Sequence, residues 1–238
     1  MPQTDPRSVY TVGHSTRSIA ELGALLSESG IQMVVDVRAI PRSRTNPQFN
    51  RETLPGSLAE IGVRYQHIPE LGGRRHRQRD AQPSPNTFWR NDSFRNYADY
   101  SATEGFQAGL GTLKTLAGEC RCAIMCSETL WWRCHRRIIS DYLIAAGMPV
   151  VHIMGPHKIE PATLTPNAQP LPDGTLVYRA QSGLRLVCGF TCCFSGGAWV
   201  DEFATVVAER ARITGGSASM AKVTVVVLEA QHRGSVAA

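Results

Sequence analysis

Residues 9–38 read VYTVGHSTRSIAELGALLSESGIQMVVDVR, and this segment decides the fold class. Its first apolar run, Val9–Val12, predicts a short strand that ends at a glycine. Ser18-Ile-Ala-Glu21 has the spacing of a capping box, and the leucines that follow recur on one helical face. Ile31–Val37 then predicts a second strand, whose central run Met33-Val34-Val35 favours burial on both faces. The segment therefore predicts a strand, a helix and a second strand in succession.

The same alternation of strand and helix continues along the chain as far as Ile153. The further predicted strands are Val63–Ile68, Cys120–Cys126 and Val150–Ile153, and the further predicted helices are a short one near Pro55, then Ser93–Tyr100, Thr103–Leu116 and Ile138–Ala146. Strands that alternate with helices form parallel sheets with right-handed crossovers. We therefore predict an α/β fold of three layers, with a mostly parallel five-stranded sheet and helices on both of its faces.

The pattern changes after Met154. Residues 155–174 hold five prolines and no periodicity, which is typical of a surface loop or a linker, and Leu176–Tyr178 can return as a short strand. From Arg179 the chain mixes clustered cysteines, glycines and valines without a consistent pattern. We predict one α/β domain over residues 8–178. Residues 179–238 are predicted to be an irregular C-terminal extension, poorly ordered or loosely packed, that the core does not need.

Composition excludes several classes of protein. The 238 residues are 42% hydrophobic and 19% charged, so the chain is not disordered. No apolar run of about 18 residues is present, which argues against a membrane span, and the N-terminus lacks the pattern of a signal peptide. The seven cysteines are an odd number, which argues against a complete disulfide framework. We predict a cytoplasmic protein.

The net charge of +5 is concentrated in one segment. Residues 74–95 contain six arginines against two aspartates, which gives that segment alone a charge of +4. A single basic loop indicates an anion site or an edge that faces nucleic acid, although a solvated, mobile loop has the same composition. The predicted contacts to a phosphate-bearing ligand or to nucleic acid come from Arg74, Arg75, Arg77 and Arg79.

Polar side chains follow four of the predicted strands. They are His14 and Ser15 after the first strand, Asp36 and Arg38 after the second, His67 after the third, and Cys126 and Glu128 after the fourth. Open α/β sheets bind ligands beyond the carboxyl ends of their strands. We therefore expect His14, Asp36, Arg38, His67, Glu128 and Arg136 to converge on one pocket.

The segment from Cys126 to Arg137 lies between a predicted strand and a predicted helix, and it supports several interpretations. A thiolate beside arginine at a helix N-terminus would have a lowered pKa, but the six residues between Cys126 and Arg133 do not match the phosphatase loop, which has five. Cys126, Cys134 and His135, together with a distant histidine, could bind a metal, although their spacing matches no standard zinc pattern and no metal site is predicted. Arg136 and the free N–H groups of the helix could hold an anion. The plainest alternative is that both cysteines are buried structural residues. We expect Arg136 to pair with Asp36 or Glu128 when no ligand is bound.

Five motifs in order resemble the domain of unknown function 488 family, over about Val9 to Tyr178. They are Gly13-His14-Ser15; Asp36-Val37-Arg38 with Pro41, Pro47 and Phe49; Tyr65-x-His67-x-Pro69-x-Leu71-Gly72-Gly73; Phe94-x-x-Tyr97-Ala98-x-Tyr100; and Cys126-x-Glu128 followed by Cys134-His135-Arg136. The resemblance implies a small cytoplasmic α/β protein with no settled activity. Ser127 stands where the family usually has alanine. The family tends to end near Tyr178, so the last sixty or so residues are a lineage-specific extension or reflect a change of reading frame.

Two classes of function follow from these residues. In the first, the protein is an enzyme that acts on a nucleotide, a nucleic acid or another phosphate-bearing substrate. Its predicted catalytic residues are His14, Asp36, Glu128 and Cys134, and its predicted substrate-binding residues are Ser15, Arg38, His67, Tyr97, His135 and Arg136. In the second, the protein is a non-catalytic module that binds nucleic acid or another ligand, or a metal-binding protein that uses cysteine and histidine. The sequence specifies no cofactor.

Overall fold

The computed structural model of the chain describes residues 8–76 and 82–180. The strands are β1 Val9–Gly13, β2 Met33–Asp36, β3 Arg64–His67, β4 Cys122–Cys126, β5 Val150–Gly155, β6 Lys158–Pro161, β7 Ala168–Pro170 and β8 Leu176–Tyr178. The helices are α1 Ile19–Glu28, α2 Leu54–Ala59, α3 Asp92–Ser101, α4 Glu104–Glu119 and α5 Arg136–Ala145. Single 3₁₀ turns occupy Pro47–Phe49, Pro69–Leu71 and Trp131–Arg133. The predicted extension lies outside the described residues apart from Arg179 and Ala180, and so do Arg77 and Arg79.

Six strands form the main sheet, in the order β3-β2-β4-β1-β5-β6. The first five are parallel to one another, and β6 pairs with β5 in the antiparallel direction. Successive side chains of the central strands point to opposite faces, which divides the apolar core in two. Val35 and Ile124 pack on the face covered by α3, α4 and α5, whereas Val34 and Ala123 pack on the face covered by α1 and α2. The predicted three-layer α/β fold with a mostly parallel sheet is confirmed.

The segment predicted as a loop or linker, residues 155–174, contains two strands, and the prediction is wrong there. β6 adds a sixth strand at the edge of the sheet, and β7 pairs with the predicted strand β8 in a separate two-stranded sheet. All four residues of β6 are exposed, so its side chains follow no apolar alternation, and the strand pairs with β5 through its backbone. Such an edge strand tolerates proline and leaves no hydropathy pattern in the sequence.

Buried polar contacts attach the two-stranded sheet to α5. The carboxylate of Asp141 accepts hydrogen bonds from the Thr165 backbone N–H at 2.8 Å and from the Tyr178 hydroxyl at 3.0 Å. The Tyr142 hydroxyl accepts a hydrogen bond from the Leu176 backbone N–H at 3.0 Å. The middle of α5 is therefore fixed from both sides, between the sheet and the β7–β8 pair. Among the described helices, none is long and apolar enough to cross a membrane.

Candidate functional site

The carboxyl ends of β1, β2, β3 and β4 meet at one edge of the sheet. Gly13 lies opposite Cys126, and the backbone N–H groups of His14 and Ser15 continue the ladder onto the carbonyls of Cys126 and Ser127. Gly13 leaves no room for a side chain, since a Cβ atom there would lie 2.1 Å from the Glu128 carbonyl oxygen. The loops after β1 and β4 therefore pack directly against each other, and the polar residues after these strands share one rim.

Asp36 and Arg38 form a buried ion pair at this edge. One carboxylate oxygen of Asp36 accepts from the backbone N–H and the Nε–H of Arg38, at 3.0 and 2.9 Å. The other accepts from Arg38 Nη2 at 2.6 Å and from the Tyr65 hydroxyl at 2.8 Å. Asp36 has no exposed surface, and every partner of its carboxylate is a group of the protein. Its contacts fix the guanidinium group of Arg38.

Two histidines complete the support of Arg38. His14 donates from Nδ1 to the Ser15 carbonyl at 2.9 Å, accepts at Nε2 from Arg38 Nη1 at 3.2 Å, and stacks on Phe49. Burial lowers the pKa of His14 to about 4, so its ring is neutral at pH 7. His67 donates from Nε2 to the Arg38 carbonyl at 2.9 Å. Both ring nitrogens of His14, and one of His67, are therefore engaged within the protein.

A cavity of about 250 Å³ opens beside these residues. Of the ten predicted catalytic and substrate-binding residues, five line it: Arg38, Tyr97, Glu128, Cys134 and His135. Cys126 and Arg74 also line it. The other five predicted residues lie at the same edge of the sheet but outside the cavity wall: His14, Ser15, Asp36, His67 and Arg136. Sequence reasoning did not assign a role to Ile40, Gly73, Ser93 or Phe94, which complete the wall with Ala39, Ser127 and Arg133.

Arg136 is the first residue of α5 and is only 1% exposed. Its Nη2 group donates to the backbone carbonyls of Glu128 and Thr129, and its Nη1 group donates to Thr11 Oγ1. Its Nε–H donates to Cys134 Sγ at 3.4 Å. The prediction that its guanidinium pairs with the carboxylate of Asp36 or Glu128 is wrong. Asp36 is fully engaged by Arg38, and Glu128 presents its backbone carbonyl to Arg136.

Cys134 supplies the missing negative charge. Burial alone would raise the pKa of its thiol, but a hydrogen bond from Cys126, the charge of Arg136 and two N–H donors of Arg136 outweigh burial and lower that pKa to about 6. The pKa of Cys126 moves the other way, to about 12, because its S–H donates to Cys134 and because it is buried. At pH 7 the pair is therefore one thiolate and one thiol, and the thiolate neutralises a buried guanidinium.

His135 lies beside the two sulfurs. Its Nε2–H donates to the Val37 carbonyl at 2.8 Å, and its Nδ1 atom faces Cys134 Sγ at 3.5 Å. The edge of this ring meets Tyr97, whose hydroxyl donates to the Leu71 carbonyl. Gly73 accommodates the ring, since a Cβ atom there would lie 2.4 Å from Nδ1. The glycine pair of the third motif therefore marks a close contact that the sequence did not reveal.

The donor atoms of Cys126, Cys134 and His135 lie within 4.8 Å of one another. Two sulfurs and one imidazole suit Zn²⁺, and a ring nitrogen held by a backbone carbonyl is the usual support of a metal-binding histidine. The charge of the surroundings opposes this use. Arg136 already donates to Cys134 Sγ, so a divalent cation would be placed next to a buried guanidinium.

A buried histidine, His152, lies close enough to Arg136 to be affected by its charge. His152 on β5 stacks on Trp131 with ring centroids 4.2 Å apart and hydrogen-bonds through Nδ1 to Thr11 Oγ1 at 2.8 Å. Burial and the charge of Arg136 lower the pKa of His152 to about 3, so the ring is neutral at pH 7. Nothing in the sequence pattern singled out His152, because it lies within an apolar strand rather than after one.

Comparison with known proteins adds one finding. The family model described as "Domain of unknown function DUF488" matches residues 18–143, which is more than half of the chain. The chain belongs to the DUF488 family. The matched residues of this DUF488 protein include the Asp36–Arg38 pair, the cavity wall and the sequence from Cys126 to Arg136. No curated protein and no solved structure matches the chain.

Proposed function

We propose that this DUF488 protein is an enzyme that uses the Cys134 thiolate as a nucleophile on a phosphate-bearing substrate. One observation carries the proposal. Cys134 is the counter-ion of the buried Arg136, and the residue lines a cavity that three other arginines also line. A thiolate at neutral pH is the reactive form of cysteine, and arginines in a partly enclosed site favour an anionic ligand.

The arginines divide between structure and ligand. Arg38 uses four of its five N–H groups within the protein, which leaves one Nη1 N–H for a ligand in the cavity. Arg74 and Arg133 line the cavity on the loops after β3 and β4. We assign anion binding to these three side chains. Asp36, His14 and His67 act through Arg38 in this proposal, as positioning residues.

The chemical step needs one nucleophile and one acid. The Cys134 sulfur attacks the electrophilic centre of the substrate, a sulfur-linked intermediate forms, and the bond to the leaving group breaks. Glu128 lines the same cavity and is half-buried, which suits it to protonate the leaving group and then to deprotonate the water that releases the product. His135 faces the sulfur and fixes its position.

The nucleic-acid alternative depends on the basic loop. Arg75 already donates to the carbonyls of Pro69, Glu70 and Gly72, and its guanidinium lies 3.7 Å from the centre of the Tyr100 ring. Arg75 is therefore engaged in holding its own loop. Arg74, in the cavity wall, is the better placed of the two for a substrate phosphate.

The test measures protection of Cys134 from iodoacetamide in the full chain. We expect inorganic phosphate and a nucleoside monophosphate to slow alkylation of Cys134. Arg133→Gln and Arg74→Gln should each raise the concentration needed for half protection by about tenfold, since a hydrogen bond to a charged group contributes about 1.5–3 kcal/mol. Arg90→Gln, on an exposed side chain outside the cavity, is the matched control.

Three outcomes would contradict the proposal that the protein is an enzyme acting on a phosphate-bearing substrate. If neither phosphate nor nucleotide protects Cys134, the cavity is not a phosphate site. If an oligonucleotide binds without protecting the thiolate, the non-catalytic module is supported instead. If the purified protein carries stoichiometric zinc whose removal exposes Cys126, Cys134 and His135 together, the metal-binding alternative is supported.

A further inference from the structure

We propose that Cys126 and Cys134 form a reversible disulfide, which makes the pair an oxidation site at the cavity. Oxidation would remove the thiolate, so the consequence for activity rests on the proposed function, whereas the bond itself does not. The two cysteines bracket the loop between β4 and α5, and neither the fold nor the substrate site requires them to be linked.

The geometry brings the two sulfurs together. Cys126 is the last residue of β4, Cys134 lies two residues before α5, and their Sγ atoms are within 4.8 Å of each other. The two cysteines also shift each other's pKa, which agrees with this short separation. A disulfide needs about 2.05 Å between the sulfurs, a change that side-chain rotation and a small shift of the connecting loop can supply. Both cysteines line the cavity, which gives a small oxidant a route to them.

Hydrogen peroxide is an oxidant small enough for the cavity, and the reaction balances in two steps. The Cys134 thiolate attacks one peroxide oxygen, the O–O bond breaks, and Cys134 becomes a sulfenic acid while hydroxide leaves. The Cys126 thiol then attacks the sulfenic sulfur, the S–S bond forms, and the S–OH oxygen departs as water. One thiolate and one thiol lose two electrons in total, and one peroxide is reduced to two waters once the hydroxide takes a proton from the solvent. Cys126 is the resolving thiol in this sequence.

Arg136 makes the disulfide easy to reduce. In the dithiol state the thiolate neutralises the buried guanidinium, but in the disulfide state Arg136 keeps only neutral acceptors: the Thr11 hydroxyl and the carbonyls of Glu128 and Thr129. A buried cation without an anion is unfavourable. Stabilisation of the reduced form raises the reduction potential of a disulfide, so we expect a labile bond rather than a structural one.

The experiment oxidises the full-length protein with hydrogen peroxide and identifies cross-linked peptides by mass spectrometry. We expect a Cys126–Cys134 disulfide to form at least tenfold faster than one between Cys120 and Cys122, whose sulfurs are 3.6 Å apart but away from the cavity. Cys126→Ser should stop at the sulfenic acid, which dimedone traps on Cys134. No 126–134 cross-link in the wild type, or equal trapping of the sulfenic acid in both proteins, would overturn the proposal.

Arg136 gives a second and independent measurement. In glutathione buffers at pH 7, Arg136→Gln should shift the equilibrium towards the disulfide by up to about tenfold, because Arg136 supplies part of the lowering that brings the pKa of Cys134 near 6. Arg136→Lys keeps the charge, serves if the glutamine variant does not fold, and should shift the equilibrium less. If a folded Arg136→Gln variant has the same thiol–disulfide equilibrium as the wild type, Arg136 does not make the disulfide easy to reduce, and that part of the proposal is wrong. If phosphate still protects Cys134 while no disulfide forms, this proposal alone fails.

Discussion

A pair of cysteines lies near each end of strand β4, and the two pairs differ in the pKa values of their thiols. At the amino end, Cys120 Sγ and Cys122 Sγ lie 3.6 Å apart. Burial, followed by the contact with Cys120, raises the pKa of Cys122 to about 12. At the carboxyl end, the pKa of Cys134 falls to about 6 although that residue is also buried. Proximity of two sulfurs is therefore not sufficient to produce a thiolate.

The difference comes from the topology of the sheet. A parallel sheet brings the first turn of α5 to the carboxyl end of β4, and Arg136 is the first residue of that helix. The guanidinium group donates to Cys134 Sγ, so the helix supplies both a charge and an N–H group. The charge of Arg64 favours the Cys122 thiolate, but its effect is smaller than that of burial and of Cys120.

The largest expected difference between the two ends is in reactivity. At pH 7 we expect iodoacetamide to modify Cys134 about a hundredfold faster than Cys122. About 90% of Cys134 is thiolate at that pH, against about one part in 10⁵ of Cys122, and the lower nucleophilicity of a more acidic thiol offsets part of that ratio. Alkylation rates by site-resolved mass spectrometry measure it. Equal alkylation rates at Cys134 and Cys122 would contradict the predicted difference in their thiolate content.

The sequence predicted the fold better than it predicted this contrast. The runs at Val9–Val12 and Met33–Val35 define buried parallel strands because both faces are covered, and that signal is local. The pairing of Arg136 with Cys134 is not local. It depends on Asp36 being occupied by Arg38 and on Glu128 turning its backbone carbonyl towards the helix, and neither contact leaves a pattern in the sequence. The edge strand β6 was missed for a related reason, since its side chains are exposed and carry no periodicity.

A smaller difference is expected in stability. Cys134→Ala should lower the free energy of unfolding by about 3 kcal/mol at pH 8, because it leaves Arg136 buried without an anion. Cys122→Ala should lower it by about 1 kcal/mol, which is the loss of one small buried side chain. Urea unfolding of both variants measures the two losses. If they are equal, Cys134 is a structural cysteine and Arg136 is satisfied by its carbonyl acceptors.

The pH dependence of that loss has a definite sign. The pKa of Cys134 is lower in the folded chain than in the unfolded one, so its contribution is fully present above about pH 9 and is lost as pH falls through 6. The difference in unfolding free energy between wild type and Cys134→Ser should therefore grow by about 1 kcal/mol per pH unit between pH 6.5 and 8.5.

Four titratable or charged groups face Cys134, namely His135, Cys126, Tyr97 and Arg136, and the last three do not change this sign. The pKa values of Cys126 and Tyr97 are raised, so both stay protonated over the interval, and Arg136 stays charged throughout. The Cys122→Ala variant is the matched control, because the raised pKa of Cys122 gives the opposite sign: its difference from the wild type should stay flat up to about pH 8 and then shrink. A difference between wild type and Cys134→Ser that stays flat from pH 6.5 to 8.5 would contradict a thiolate at Cys134.

The smallest expected effect on stability comes from glycine-to-alanine substitutions at two positions, one near each end of β4. Gly118 lies in α4 near the amino end of the strand, and a Cβ atom there would meet nothing within 4 Å. Gly118→Ala should raise the free energy of unfolding by about 0.5–1 kcal/mol, the usual gain for alanine over glycine in a helix, and should leave alkylation of Cys134 unchanged. Urea unfolding and the alkylation assay measure both quantities.

At Gly73 the same substitution is expected to have the opposite outcome: no gain in stability and an effect on Cys134. A Cβ atom at Gly73 would lie 2.4 Å from Nδ1 and 2.6 Å from Cγ of His135, so the ring or the loop must move. Because Nδ1 faces Cys134 Sγ and Nε2 holds the Val37 carbonyl, either movement disturbs the cavity wall around the thiolate. We expect no gain in stability and a changed rate of Cys134 alkylation. If Gly73→Ala stabilised the chain as Gly118→Ala does and left Cys134 unchanged, His135 would not be held against the thiolate, and its positioning role would have to be abandoned.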